Sequence, residues 1–132
     1  MAELTVGMQC KLETVVTEEN TAAAVGSSDL AVFATPMMMA LMEGAAAKCV
    51  KDCVGEGNTT VGIKIESTHD AATPVGMKVY AVATVTAIDR RRIDFTVEAF
   101  DECGKIGAGT HSRFIVAAQK FMEKTNAKLN VQ

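Results

Sequence analysis

One long apolar segment, residues 36–54, constrains the fold of this chain most strongly. It reads PMMMALMEGAAAKCVKDCV and ends at Gly55-Glu56-Gly57. The preceding Thr35 and the first residue, Pro36, are typical of a helix start, because a hydroxyl can cap the first turn and proline suits the first helical position. The glycines supply a stop signal. The segment therefore predicts a helix of about five turns with little solvated surface.

Two residues in the middle of this helix are unusual there. Glu43 is a carboxylate with no possible partner within the helix, and a buried unpaired charge must find a partner or shift its pKa. Gly44 costs roughly 1 kcal/mol relative to alanine, which predicts that another backbone or a ligand comes close there. The helical neighbours of Glu43 three and four positions away are Met39, Ala40, Ala46 and Ala47.

Composition limits the class of protein. With 132 residues, the chain fits a single domain over residues 1–132. Hydrophobic residues make up 48% and aromatic residues only 5%, so valine, alanine and methionine must fill the core. A net charge of −3 without a basic stripe weighs against nucleic acid as a partner. No segment resembles a membrane span.

Four cysteines occur without a CxxC pair or a secretory leader. We therefore expect reduced core thiols and a cytoplasmic protein, since disulfides persist mainly in oxidising compartments. Cys49 and Cys53 share a helix face, but two thiolates alone make a poor metal site.

The rest of the chain alternates as antiparallel strands do. In residues 92–100, for example, the apolar side chains fall on one face and the polar ones on the other. We predict a short first strand at 10–16 and a four-strand meander after residue 57, wrapped around the helix in an α+β fold. The meander strands are expected at 60–69, 78–88, 92–100 and 106–116, with turns at 73–76, 89–91 and 101–104 and a tail helix at 117–128.

The strand at 60–69 places a histidine opposite the helix. A period of two puts Val61, Ile63, Ile65, Ser67 and His69 on one face, the face that packs on the helix. An imidazole and the Glu43 carboxylate would then converge, as in acid–base pairs. A purely structural glutamate–histidine pair is the alternative, and a bulge near the strand end would break the alternation.

Thr35 is a third candidate. Eight residues of helix separate it from Glu43 by about 12 Å, too far for a hydrogen bond within one straight helix. It caps the helix, bends back from the preceding loop, or faces the Glu43 of a second subunit.

Three segments carry a resemblance to a known family. They are VFATPMMMALMEGAA (residues 32–46), TTVGIKIESTHDAATPVGMKV (59–79) and FDECGKIGAGTHSRF (100–114). Together they resemble the fluoroacetyl-CoA thioesterase-like branch of the hotdog-fold thioesterases, from about residue 6 to residue 116. The resemblance implies a hotdog fold with active sites at the interface of a homodimer. Whether such dimers pair further into a tetramer is left open.

The resemblance also implies roles for individual residues. Thr35, Glu43 and His69 match the catalytic residues of the family, Gly62 matches a glycine near the thioester oxygen, and Arg113 matches an arginine that contacts coenzyme A. Glu43 would attack the thioester or activate water, and His69 would protonate the departing thiolate or orient the water. Neither a metal nor a cofactor is expected, because coenzyme A is part of the substrate.

The acyl group is not specified by the sequence. Fluoroacetyl-specific members carry aromatic lid residues before the catalytic threonine, whereas residues 25–30 read VGSSDL and the first aromatic residue is Phe33. We expect a short or small acyl group. The methionines at 37, 38, 39 and 42 form either a pliable acyl pocket or simply core.

Arginines after residue 88 offer further contacts to coenzyme A. His111 and Arg113 share one face of the last strand, and Arg113 either binds phosphate or is a solvated surface arginine. The arginines at 90–92 form a charged hairpin tip or hold another phosphate.

Two other functions stay open. A hotdog enoyl-CoA hydratase also uses an acid–base pair beside a thioester. A non-catalytic acyl-CoA-binding module is the second alternative.

Overall fold

The computed structural model describes residues 3–131, so the ends of the predicted domain, residues 1, 2 and 132, lie outside the described residues. Short 3-10 turns occur at Glu18–Asn20, Lys51–Cys53 and Ala127–Asn130. The helices and strands, in chain order, are β1 (Gln9–Val15), α1 (Ala22–Val25), α2 (Thr35–Val50), β2 (Asn58–Ser67), β3 (Lys78–Asp89), β4 (Arg92–Asp101), β5 (Gly104–Ala117) and α3 (Ala118–Asn126).

The five strands form one antiparallel sheet in the order β1-β3-β4-β5-β2. The meander β3-β4-β5 is as predicted. The predicted place of β2 beside β3 is wrong, because β2 pairs with β5 at the opposite edge. The connection from β2 to β3 crosses the end of the sheet and is held there by Thr73, whose carbonyl accepts from the Phe33 amide at 2.9 Å and whose hydroxyl donates to Asp101 at 2.7 Å.

Helix α2 packs on the concave face of this sheet, against β3, β1 and β4. The predicted inward face of β4 is confirmed, since the four apolar side chains predicted to share that face are all buried. Met38 and Met42 are fully buried, which makes them core residues. The α+β architecture of a long helix wrapped by an antiparallel sheet is therefore confirmed. The four inward-facing residues of β4 are Ile93, Phe95, Val97 and Ala99.

The glycine in the middle of α2 allows the close approach of a side chain, and not of the predicted backbone or ligand. A Cβ at Gly44 would lie 2.7 Å from Cδ2 of Leu12 in β1. Neither a backbone nor a ligand is needed to explain this glycine. It lets the first strand come close to the helix.

The arginine-rich hairpin between β3 and β4 is a charged tip. Arg90 adopts the left-handed conformation with φ 58°. Arg92 pairs with Asp89 at 3.6 Å and with Asp94 at 3.3 Å. The two carboxylates therefore already balance the charge of Arg92, the first residue of β4.

The cysteines are free thiols, and their environments differ. Cys49 is buried while Cys103 is exposed. The pKa of Cys49 is raised to about 12, mainly by burial and to a lesser extent by the neighbouring Cys10, so this thiol stays protonated. Separately, none of the helices within residues 3–131 has the length and apolarity needed to cross a bilayer.

Candidate active site

The Glu43 carboxylate lies against β2 at a glycine. A Cβ at Gly62 would lie 2.7 Å from Oε2 of Glu43, a distance that real Cβ atoms do not tolerate. The nearest cation is Arg113 of β5, whose Nη1 lies 4.0 Å from the same oxygen. The Glu43 side chain remains 41% exposed, whereas that of Arg113 is only 9% exposed. The carboxylate therefore has a buried cation behind it and an open side in front.

Arg113 is held by the strand beside it. Its Nε donates to the hydroxyl of Thr60 at 2.9 Å, and its Nη2 donates to the carbonyl of Thr60 at 3.0 Å. The interpretation of Arg113 as a solvated surface residue is wrong, because two strands and a helix enclose it. Burial lowers the pKa of Arg113, and the negative charge of Glu43 raises it again. An arginine still carries its charge at neutral pH.

A β-bulge in β2 changes the predicted side-chain alternation. The pairing of β2 with β5 shifts between Gly62 and Lys64, so Ile63 is an extra residue and is 55% exposed instead of facing the helix. The predicted strand end at His69 is also wrong, since β2 ends at Ser67. His69 lies in the following connection, and its position does not depend on strand alternation.

Thr35 contacts His69 and does not cap the helix. The N-cap of α2 is Ala34, and no side chain caps the helix there. The interpretation of Thr35 as a cap is therefore wrong. Its hydroxyl lies 2.7 Å from Nδ1 of His69, a strong side-chain hydrogen bond across 34 residues of sequence.

His69 has one ring nitrogen left over. Its Nε2 is buried and makes no hydrogen bond within the described part of the chain. Burial lowers the pKa of His69, opposed by the charge of Asp70 and the backbone of Ala71, so the ring tends toward the neutral form. The ring lines a cavity of about 330 Å³ with Thr35 and Asp70. Its other walls come from Ala22, Ser27, Ser28, Val32, Phe33, Ala71 and Ala72.

Within one chain, the candidate residues form two separate groups. Thr35 and His69 form one group at the start of α2, and Glu43, Gly62 and Arg113 form the other, two turns further along. The cavity at His69 does not include Glu43. Glu43 and His69 were predicted to share a pocket, but within a single chain they do not.

The imidazole that does accompany Glu43 is His111, which sequence reasoning did not assign to the site. A Cβ at Gly62 would lie 3.1 Å from Cε1 of His111 as well as close to Glu43. His111 is only 2% exposed and donates or accepts through both ring nitrogens. The available signal was its place two residues before Arg113 on the same strand face.

Each group has a distinct chemical capacity. The half-exposed carboxylate at Glu43 can act as a nucleophile or a general base. The hydrogen-bonded pair of Thr35 and His69 can hold a carbonyl or transfer a proton at Nε2. A nucleophile or base and a proton donor are the two kinds of group that acid–base cleavage of a carbonyl compound uses.

Sequence comparison matches most of the chain to one family. A family model described as fluoroacetyl-CoA-specific thioesterase matches residues 16–119. A fluoroacetyl-CoA thioesterase of Streptantibioticus cattleyicolor is 37% identical over 97 residues, which cover 74% of this chain and 70% of that protein.

Structural comparison leads to the same group. A fluoroacetyl-CoA thioesterase variant solved with acetyl-CoA is 31% identical and superposes with a TM-score of 0.90, covering 95% of this chain and 98% of the other. A thioesterase superfamily member from Thermus thermophilus is 28% identical with a TM-score of 0.88, and each chain covers the whole of the other. The architecture is accordingly that of the hotdog thioesterases, as the sequence resemblance implied.

Proposed function

Because the chain belongs to the fluoroacetyl-CoA-specific thioesterase family and is an acyl-CoA thioester hydrolase, we propose that its active site joins Thr35 and His69 of one protomer to Glu43, Gly62 and Arg113 of a second. The observation that carries this proposal is the half-exposed Glu43 carboxylate, backed by buried Arg113 and lying over a glycine. The unused Nε2 of His69, which lies with Thr35 at the start of α2 and apart from Glu43, supports it.

A homodimer provides the second protomer in this proposal. Strand β2 lies at an edge of the sheet and carries both Gly62 and the outward Ile63. An edge strand has unpaired backbone groups that another strand can pair with. Pairing of two β2 strands about a two-fold axis would place Glu43, Gly62 and Arg113 of each chain close to the other chain.

The proposed reaction uses the side chains of this chain and a water molecule. In one route Glu43 attacks the thioester carbonyl, the C–S bond breaks to give a transient anhydride, and water then hydrolyses the anhydride to release the acid and restore the carboxylate. In the other route Glu43 removes a proton from a water that attacks the carbonyl directly and displaces the thiolate. His69, held by Thr35, gives a proton to the departing thiolate of coenzyme A or orients the water. The amide beside Gly62 and the guanidinium of Arg113 are placed to stabilise negative charge on the carbonyl oxygen. The products are the free acid and coenzyme A.

We propose a short or small acyl group as the substrate. The cavity at His69 has small and polar walls, including Ser27 and Ser28, and Phe33 is its only aromatic side chain other than the imidazole. Residues 25–30 contain no aromatic residue that could close over a fluoroacetyl group. A wider range of small acyl groups is therefore expected. We also propose a cytoplasmic location, which the four free thiols support.

A substrate screen tests the function directly. The purified protein is mixed with short, medium, branched and aromatic acyl-CoAs, and the products are identified by mass spectrometry, because exposed Cys103 would react with a thiol reagent. Release of coenzyme A from short acyl-CoAs is expected. Addition of water to crotonyl-CoA without release of coenzyme A would favour the hydratase, and tight binding without turnover would favour a binding module.

A further inference from the structure

A buried imidazole beside the proposed site has no role in the proposed reaction. His111 is 2% exposed, stacks on Phe95 of β4 with ring centroids 5.9 Å apart, and lies between β2 and Arg113. Its Nδ1 lies 2.7 Å from the carbonyl oxygen of Lys64, and its Nε2 lies 3.2 Å from Nη1 of Arg113. Both ring nitrogens are thus engaged within the protein.

These two partners fix the state of the ring. A carbonyl oxygen only accepts hydrogen bonds, so Nδ1 must carry a proton. A guanidinium only donates, so Nε2 must present its lone pair. The contacts are therefore compatible with only the neutral Nδ1–H tautomer. The charged side chains that face the ring are Arg113 on its own strand and Glu43 from α2, while the Lys64 ammonium pairs with Glu66 at 3.1 Å.

The β-bulge in β2 supplies the first of these contacts. The pairing shift between Gly62 and Lys64 occurs directly opposite Ser112 and Arg113. At this point the Lys64 carbonyl bonds to the His111 side chain. The bulge at Ile63 therefore lies next to the carbonyl that hydrogen-bonds to the ring.

The hydrogen bonds that Arg113 donates indicate the role of the His111 ring. A guanidinium has five N–H groups in a fixed planar fork. Among the described residues, Nε and one N–H of Nη2 bond to Thr60, and one N–H of Nη1 bonds to His111. The two bonds to Thr60 hold Nε and Nη2, whereas the bond to His111 holds Nη1, the nitrogen that lies 4.0 Å from Glu43 Oε2. Without an acceptor at His111, Nη1 would keep no hydrogen bond among the described residues, and Thr60 alone would hold the guanidinium.

We propose that His111 is a positioning residue, which accepts a hydrogen bond from Arg113 through Nε2 and thereby holds the guanidinium against Glu43 and the reacting carbonyl. The inference rests on the proposed function of Arg113 and Glu43. Burial lowers the pKa of His111, and the charge of Arg113 lowers it further, against the opposing effects of the Lys64 carbonyl and Glu43. The neutral ring that the contacts require is thus also the form that its surroundings favour.

Three variants and one spectrum test this role. His111→Gln keeps an acceptor near the Nε2 position, whereas His111→Leu removes it. Ser112→Ala is the matched control, because it removes a side-chain hydrogen bond of 2.7 Å to Asp94 on the opposite face of the same strand. We expect kcat/KM to fall on the order of tenfold to a hundredfold in His111→Leu, the worth of a hydrogen bond to a charged group. His111→Gln should recover most of this loss and Ser112→Ala should cost little.

The spectrum does not depend on turnover. Long-range ¹H–¹⁵N correlation of the ring in the substrate-free protein should show the Nδ1–H tautomer. An Nε2–H tautomer, or equal kcat/KM in His111→Leu, His111→Gln and Ser112→Ala, would overturn the inference. A wild-type protein that hydrolyses no acyl-CoA would instead contradict the proposed function, while the tautomer would still decide whether His111 accepts from Arg113.

Discussion

The guanidinium of Arg113 lies 4.0 Å from the carboxylate of Glu43, although 70 residues separate the two along the chain. Helix α2 carries the carboxylate and β5 carries the cation, so neither element could form this pair alone. The pair resolves the problem of a charge in an apolar helix, because Glu43 has its cation on one side and solvent on the other. It also leaves the carboxylate free to react, since the distance is longer than that of a close ion pair.

Replacing Glu43 with glutamine removes the carboxylate while keeping the shape of the side chain. If this group is the nucleophile or the general base, kcat should fall by about 10²–10⁴-fold. The fold should persist, because the side chain is 41% exposed. Steady-state kinetics with a short acyl-CoA and circular dichroism measure both effects. Glu13→Gln on exposed β1 is the control, and equal turnover in the two variants would contradict the role of Glu43.

Alanine substitutions at Gly62 and Gly44 test whether the room for a side chain matters at the site and away from it. In Gly62→Ala the new Cβ would lie 2.7 Å from Glu43 Oε2 and 3.1 Å from Cε1 of His111, so the carboxylate and the buried ring must both shift and hydrolysis should be lost. In Gly44→Ala the new Cβ would meet Cδ2 of Leu12 at the same distance. That clash opposes a gain of roughly 1 kcal/mol in helix propensity, so stability changes while kcat/KM is retained. Retained activity in Gly62→Ala would count against the site.

The hydroxyl of Thr35 should matter through its hydrogen bond to His69. Thr35→Ser keeps the hydroxyl and should stay active, whereas Thr35→Val keeps the shape and loses the bond of 2.7 Å. We expect a loss of roughly tenfold or more in kcat/KM for the valine variant. Helix content should be unchanged, because Thr35 does not cap α2. Serine and valine variants of equal activity would show that the bond is only structural.

Stability should depend on pH through both histidines. Burial lowers the pKa of His69 and of His111 below the ordinary value of 6.5. Just below pH 6.5 the unfolded chain then binds more protons than the folded one, so the free energy of unfolding falls as the pH falls. Urea unfolding at several pH values measures this slope. In the double variant His69→Gln/His111→Gln the slope between pH 6.5 and 5.5 should flatten, and an unchanged slope would contradict these pKa directions.

The sequence predicts the architecture well because the architecture depends on local periodicity. The alternation in β4 predicts its buried face. The apolar run closed by glycines predicts α2, but the α-helix ends at Val50, and the last part of the predicted helix contains the 3-10 turn Lys51–Cys53. The position of β2 could not be predicted in this way. Its pairing with β5 depends on the ten residues between β2 and β3 crossing the sheet, and that path is fixed by contacts such as those of Thr73.

The site was only partly predictable, for three physical reasons. A single bulge at Ile63 shifts the side-chain alternation of β2, and strand periodicity cannot reveal it. Thr35 occupies the first helical turn and not the cap, so its hydroxyl is available to His69. His111 was visible as a neighbour of Arg113, but its acceptor role required the position of the Lys64 carbonyl. Long-range contacts of this kind are not encoded in any local pattern.

Each active site is proposed to combine residues of two protomers, and mixed dimers test this arrangement most directly. Glu43→Gln and His69→Ala chains carrying different tags are co-expressed, and the heterodimer is isolated. Each homodimer should be inactive. If the site spans the interface, the heterodimer retains one intact site of two and should show about half of the wild-type turnover. A heterodimer as inactive as its parents would contradict the account, because it would mean that Glu43 and His69 act within one chain or not together at all.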